Sequence, residues 1–470
     1  MVSLKNKLMR RFRLALLAKA TPEKLLAISN QRLLKAFRSA AKSEAYLTLL
    51  REHNLDWQSV SSADEVLRRA PILNKQNTFI RFSLTQLALP GTLNQVAGVL
   101  TSSGATGRLS FGLSTWVAAR AAADDIDLGL QEAFDIDHLR TLVINCLPMG
   151  VRFSSNTVCV AETSVREDMA LAIAHDVGPQ FDQIILIGDP LFLKCLVDLA
   201  REQGISWNKQ RISVIIGEEP FGENYRAYLA RQLGIDQDSA AGGWIGSSFG
   251  VAELGLNILF ETRQTIQFRR LVRSHPLFRD ALFGEDSPQA AVATLFHYNP
   301  LRTFIEIVEP NAQGFGQLIV SMIEHGRVIP LIRYTTGDIA RVVTRENVRR
   351  AFDHVGLAMP TTSALPLIAL MGREKSSLGA GGNVIQFQDA LYDNHGVADV
   401  VTGAFRLIPE GERITMHIQL RKNQDEPNAR LVCDALPEGL RARSDVKFWP
   451  YLDFPFGLTL DYERKFAYVG

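Results

Sequence analysis

Read for the spacing of apolar and polar positions, the chain falls into three stretches. Residues 1 to 70 place leucines at helical spacing, which predicts helices. Thr21-Pro22-Glu23 supplies an N-cap with proline at the first helical position, and Ser62 with Glu65 forms a capping box. Pro71 closes that section. After Pro90 and Gly91 the apolar run Val96 to Leu100 predicts a strand that feeds into the polar loop TSSGATGR, residues 101–108. Further on, QIILIG (183–188), LFLKCLVDLAREQG (191–204), RISVIIG (211–217) and ENYRAYLARQLG (223–234) alternate Ile/Val-rich runs with helical periodicity ending in glycine. That pattern is a βαβα unit with parallel strands, so ligands are expected beyond the carboxyl ends of the strands. Residues 372–470 restart at GRE, are more mixed, and hold the strand-like RITMHIQL at 413–420. The expected fold class is α/β. A large domain spans 1–371, helical over 1–95 and then built of mixed and parallel sheets flanked by helices, and a small mobile α+β lid spans 372–470.

Composition narrows the function. A chain of 470 residues is too long for one core, which agrees with the two-domain division. Hydrophobic residues at 46% and charged residues at 21% exclude a disordered or fibrous protein. A net charge of +1 gives no electrostatic basis for nucleic-acid binding. Cys146, Cys159, Cys195 and Cys433 form no CxxC pair, so neither a disulfide framework nor a zinc knuckle is indicated. No apolar run approaches the roughly 20 residues of a membrane-crossing helix, and a cytoplasmic location is expected. Residues 1–42 hold eleven Lys or Arg against Glu23 alone. Two readings of that segment follow: a membrane-surface helix or presequence, or a helix with a solvated basic face whose apolar stripe docks on the core. The second is the expectation.

Joining a carboxylate to ATP needs a backbone cradle for phosphates, a carboxylate to hold Mg²⁺, and a cation at the α-phosphate. Thr101 to Gly107 has two glycines and four hydroxyl residues, Thr101, Ser102, Ser103 and Thr106, so its backbone can bend around phosphate oxygens while hydroxyls donate to them. It lacks the Walker A spacing, which argues against a P-loop NTPase. Taken alone the segment is a turn, Glu253 a helix-start carboxylate, Asp338 a residue of a polar Thr-Gly-Asp turn, Arg373 a surface ion-pair partner and Lys465 part of a charged tail. His175, His297 and His325 are isolated and nominate no base.

The loop resembles the phosphate-binding loop of adenylate-forming enzymes, which runs SSGTTGKP in the phenylacetate-CoA ligase branch. Other segments resemble that branch in its order: PILNK (71–75), IIGEEPF (215–221), SSFGVAELG (247–255), PLIRYTTGDIAR (330–341), the hinge-like GREK (372–375) and RKF (464–466). The resemblance covers nearly the whole chain. It implies ATP, Mg²⁺ and coenzyme A as cofactors or co-substrates, and an acyl-adenylate intermediate. Ser102, Ser103, Gly104, Thr106, Gly107 and Arg108 would cradle phosphates, and Gly217, Glu218, Glu219 and Pro220 would form the GxEP turn of the nucleotide site. Phe249 with Gly250 would flank adenine, and Asp338 would bind the ribose hydroxyls. Arg373 would reach ribose or phosphate, Glu253 with Thr106 would hold Mg²⁺, and Lys465 would act at the α-phosphate. The acceptor is expected to be coenzyme A, with a carrier protein or an amine as the alternative, and the acid an aryl or acyl carboxylate. A homodimer is an open expectation. Ala105, Arg108, Leu109 and Ala252 depart from the branch pattern, which keeps a catalytically impaired nucleotide-binding homologue as a third reading.

Overall fold

The computed structural model describes every residue except 1–3, 102–108, 149–150, 208, 240, 285–291, 362, 374–377, 379–381, 458–461 and 464. Its strands in chain order are β1 (Val96–Thr101), β2 (Phe111–Thr115), β3 (Thr141–Asn145), β4 (Cys159–Glu162), β5 (Gln183–Gly188), β6 (Arg211–Ile216), β7 (Ile245–Val251), β8 (Gly255–Phe260), β9 (Thr294–Tyr298), β10 (Thr303–Val308), β11 (Gly316–Met322), β12 (Tyr334–Val343), β13 (Leu367–Arg373), β14 (Val401–Glu410), β15 (Arg413–Leu420) and β16 (Ser444–Trp449). The architecture is mixed α/β with a small α+β region at the C-terminus, as the periodicity predicts. By internal packing the chain divides into two units. Met1–Asp137, Ser154–Thr157 and Ser248–Gly372 form one, and His138–Phe153, Val158–Ser247 and Arg373–Gly470 form the other.

In the first unit, helices Pro22–Ala40, Glu44–Glu52 and Ala63–Arg69 bury Leu33, Phe37, Leu49, Leu50 and Val66 in one core with Leu254, Val320, Ile332 and Ile368 of the strand region. Thr21 caps the first of these helices from one residue before Pro22. Ser62 caps the third, although Glu65 reaches back to the backbone N–H of Ser61 rather than of Ser62. Here β10, β11 and β12 are antiparallel, as are β13 with β9, β9 with β8, and the end of β7 with β8. β1 and β2 form a separate antiparallel hairpin whose last pair, Thr101 with Phe111, flanks the loop.

Helix Pro22–Ala40 meets the expectation for the basic segment by burying Leu25, Leu33 and Phe37, and the N-terminal helix Leu4–Ala18 reverses it. Three of its cations face inward: Arg10 is buried and pairs with Asp137 and Asp127, Arg13 pairs with Asp125, and Lys7 donates to the carbonyl of Asp137. Leu8, Met9, Phe12 and Leu16 are exposed. The acids that meet this basic edge lie on and just beyond helix Trp116–Phe134.

In the second unit β4, β3, β5, β6 and the start of β7 are parallel, and β3 and β5 are buried along their whole length, which is why QIILIG reads as a largely apolar run. Helices Pro190–Glu202 and Glu223–Leu233 follow β5 and β6 within one residue or a few of the predicted spans. Residues 373–470 share their core. Phe387, Leu391, Tyr392, Val397, Phe405 and Ile418 are buried in the same cluster as Leu186, Phe192, Leu196, Tyr225 and Tyr228. Lys194 is fully buried at that junction, donating to Asp198 (2.7 Å), Tyr228 (3.0 Å) and the carbonyl of Ala398 (2.9 Å). Burial lowers its pKa to about 8 against the pull of Asp198. Gly403 has a positive φ and lies so close that a Cβ would meet the Tyr392 hydroxyl at 2.6 Å and Lys194 Cδ at 3.1 Å.

Candidate active site

Three of the motif segments are hydrogen-bonded together in the first unit. Leu73 of PILNK pairs with the start of β12: its N–H donates to Arg333 O and its carbonyl accepts from the Thr335 N–H, both at 2.8 Å. Arg333 braces that junction with a bidentate pair to Glu306 (2.7 and 3.0 Å) and a bond to the carbonyl of Ala70. Tyr334, next along β12, donates its hydroxyl to Glu253 Oε1 at 2.8 Å. Burial first, and the neighbouring Glu253 carboxylate second, push the Tyr334 phenol up, so it remains a donor.

Glu253 lies in the tight turn joining β7 to β8, closed by a bond from the Leu254 N–H to Val251 O. No helix starts there, so the helix-start reading of this carboxylate falls; antiparallel pairing across the turn takes up the chain instead. Glu253 is buried, and its Oε2 has no hydrogen-bond partner among the described residues. A buried carboxylate oxygen without a donor is costly unless a cation or polar ligand meets it. The β1–β2 hairpin passes directly against this turn, because Gly112 approaches Ala252 so closely that a Cβ would sit 1.9 Å from its carbonyl oxygen. The candidate phosphate loop is therefore rooted beside Glu253 at Phe111-Gly112. Ser102, Ser103, Gly104, Thr106, Gly107 and Arg108 themselves lie outside the described residues.

Asp338 is not in a polar turn. It is buried in β12 within an irregular stretch where Thr336, Gly337 and Asp338 stand opposite a single residue, Leu318, of β11. Its own N–H is held by Thr336 Oγ1 (3.3 Å). Phe249 is half-buried in β7 against the first unit's core, and Gly250 beside it is exposed.

The remaining predicted residues belong to the second unit. The loops after β5 and β6 lie side by side, joined by a bond from the Gly217 N–H to Gly188 O (3.0 Å). Glu218 adopts φ +66°, which turns the GEEP segment sharply past the strand end. Lys465 donates to the Glu218 carbonyl (2.8 Å) and lies 3.2 Å from Glu218 Oε2 and 3.4 Å from Glu219 Oε1. Burial alone would lower the Lys465 pKa, but the Glu219 and Glu218 carboxylates outweigh it and hold it above the ordinary lysine value. Glu219 is raised, chiefly by burial, with Lys465 and Arg373 opposing. Arg373, exposed at the end of β13, thus adds its charge to the same group. Pro220 is exposed.

Asp189 was not singled out by motif. It caps helix Pro190–Glu202 through Oδ1, while Oδ2 is buried with no partner among the described residues. Burial pushes its carboxyl up to about 6 despite two backbone donors, and Glu219 and Glu218 add to the rise. Its signal in the sequence is Gly-Asp-Pro at a strand-to-helix junction, which reads as a cap rather than as chemistry. No cluster of three metal-ligating side chains occurs among the described residues.

No protein-family profile matches the sequence, and no curated protein matches it. Solved structures do. The chain is similar to 2-hydroxyisobutyryl-CoA ligase in the postadenylation state in complex with R3-HIB-AMP, with a TM-score of 0.67 and 12% identity over 96% of this chain and 90% of that one. The same ligase in complex with 2-HIB-AMP and CoA in the thioesterification state gives a TM-score of 0.54 and 14% identity over 96% and 90%. This likeness shows that the chain shares the fold of that ligase.

Proposed function

We propose that this protein activates a carboxylic acid with ATP, releasing pyrophosphate and forming an acyl-adenylate, and passes the acyl group to a thiol, most simply coenzyme A. The observation that carries the reading is Glu253: a buried carboxylate with one oxygen tied to Tyr334 and the other unpartnered, set against the root of a Gly/Ser/Thr loop. The unpartnered oxygen fits a hard cation, so Glu253 and Thr106 would hold Mg²⁺. When bound, that ion supplies charge neutralisation for the nucleotide phosphates.

Within this reading the chain's own residues divide the work. Tyr334 fixes the orientation of Glu253. Asp338 accepts the ribose hydroxyls, Phe249 and Gly250 flank the base, and Ser102, Ser103, Gly104, Gly107 and Arg108 surround the phosphates. Gly217 to Pro220 and Arg373 complete the nucleotide site, and a small domain from residue 372 carries Lys465 to the α-phosphate, where its ammonium stabilises developing charge. A screen of carboxylic acids for acid-dependent pyrophosphate release, repeated with coenzyme A, tests the reading. Release that coenzyme A does not accelerate would point to a carrier protein or an amine as acceptor. Nucleotide binding with no release from any acid would leave an impaired homologue.

A further inference from the structure

The N-terminal helix Leu4–Ala18 is amphipathic in the reverse sense to a helix that docks on its own protein. Its inward edge is cationic and its outward face is apolar. Leu8, Phe12 and Leu16 stand one turn apart at 59%, 60% and 54% exposure, with Met9 beside them at 54%. Their helix is held in place from behind by Arg10, Arg13 and Lys7, which meet Asp137, Asp127 and Asp125, and Arg10 also donates to Thr157 at 2.8 Å. The register of those contacts, with Lys7 at 137 and Arg13 at 125, runs the helix antiparallel to Trp116–Phe134. The face is therefore displayed by a fixed scaffold.

Charge decides what covers it. Lys5 is exposed on the same helix and Lys19 just beyond its end, and residues 1–20 contain no acid. A second copy of this face would bring cations against cations. A surface that is negative and apolar beneath accepts both features, and no described helix is long and apolar enough to cross a membrane, so the contact would be interfacial. We propose that helix Leu4–Ala18 docks the protein on the surface of an anionic phospholipid membrane, with Leu8, Met9, Phe12 and Leu16 entering the headgroup boundary and Lys5 and Lys19 meeting lipid phosphates. The inference is independent of the catalytic reading.

Flotation of the full chain with vesicles tests it. The protein should partition onto mixed phosphatidylglycerol and phosphatidylcholine vesicles, and high salt or phosphatidylcholine alone should release it. The double variant Phe12→Gln, Leu16→Gln should lose about tenfold or more of that partition. Lys5→Gln with Lys19→Gln should lose on the order of fivefold for each charge. These side chains point outward, so the melting temperature should not change. Absence of wild-type binding to anionic vesicles would overturn the proposal, as would binding untouched by the Phe12 and Leu16 changes. A dimer in sedimentation that disappears with Phe12→Gln would overturn it too, because the face would then belong to a second copy.

Discussion

Replacing Lys465 by alanine separates its chemistry from its structural role by size of effect. Its ammonium contacts three oxygens, Glu218 O at 2.8 Å and carboxylate oxygens of Glu218 and Glu219 at 3.2 and 3.4 Å. The side chain is 31% exposed, however, so solvent screens the pairs and their contribution to stability should be about 1 kcal/mol or less. A loss of that size leaves a domain of ordinary stability almost entirely folded at 25 °C. Loss of an electrostatic stabiliser of the reacting phosphate, by contrast, should slow adenylation by about 10²- to 10³-fold. Acid-dependent pyrophosphate release should therefore collapse while the thermal melt moves by a few degrees at most. Acyl transfer from preformed acyl-adenylate should be nearly unaffected. Because the folded pKa of Lys465 is raised, its charge persists through the neutral range and is lost only as pH climbs past the ordinary lysine value. A wild-type adenylation rate in the variant would refute the assignment. Failure of both half-reactions together would show that the residue holds the fold.

Three further expectations follow from the same geometry. Asp338→Ala should weaken ATP and AMP binding in calorimetric titration by about tenfold or more and, because the residue is buried in β12, should also lower stability by about 1–3 kcal/mol; unchanged affinity would remove it from the ribose site. Glu253→Gln keeps an acceptor for Tyr334 but loses the charge, so Mg²⁺-dependent pyrophosphate release should nearly vanish while metal-free nucleotide binding changes little, and full retained activity would contradict the metal role. Asp189→Asn should stabilise the protein at pH 8. The carboxyl is raised from 3.8 to about 6, so the folded state binds its proton more tightly than the unfolded state and stability falls as pH rises through that window. Asparagine keeps the cap, so urea unfolding should show a gain of up to about 3 kcal/mol at pH 8 and little difference below pH 4; equal stability at both would show that the charge is not paying a burial cost.

Segments whose structure is set locally were readable in the sequence. QIILIG and RISVIIG became β5 and β6 because a strand buried on both faces must be apolar throughout, and Thr21 became a cap because Pro22 fixes the first helical turn. What depends on distant partners was not readable. Glu253 reads locally as an acid near a helix, but its antiparallel neighbour β8 makes it the tip of a hairpin. Asp338 sits in a Thr-Gly-Asp string that favours a turn, and pairing with β11 draws the string into a strand with one irregularity. The N-terminal helix is the sharpest case. Its periodicity located the helix, but the partners of its inward cations, Asp125, Asp127 and Asp137, lie more than a hundred residues away.

Lys194 and Lys465 together bear on how the C-terminal residues can move. GREK suggested a hinge, and a lid that rotates must part from its neighbours along a surface that tolerates water. Within the second unit the surface between residues 373–470 and helices Pro190–Glu202 and Glu223–Leu233 is of the opposite kind. It holds a fully buried ammonium, a ring contact between Tyr225 and Tyr392 at 4.9 Å, and apolar side chains in one continuous core. Parting there would leave Lys194 without the Ala398 carbonyl and open Leu391, Tyr392 and Phe405 to solvent, at about 1.5–3 kcal/mol for each large side chain uncovered. Lys465 has no such commitment. Its ammonium can leave three oxygens near the surface without exposing any of that core. Withdrawal of the Lys465 side chain alone would therefore leave the buried tyrosine and Lys194 contacts intact.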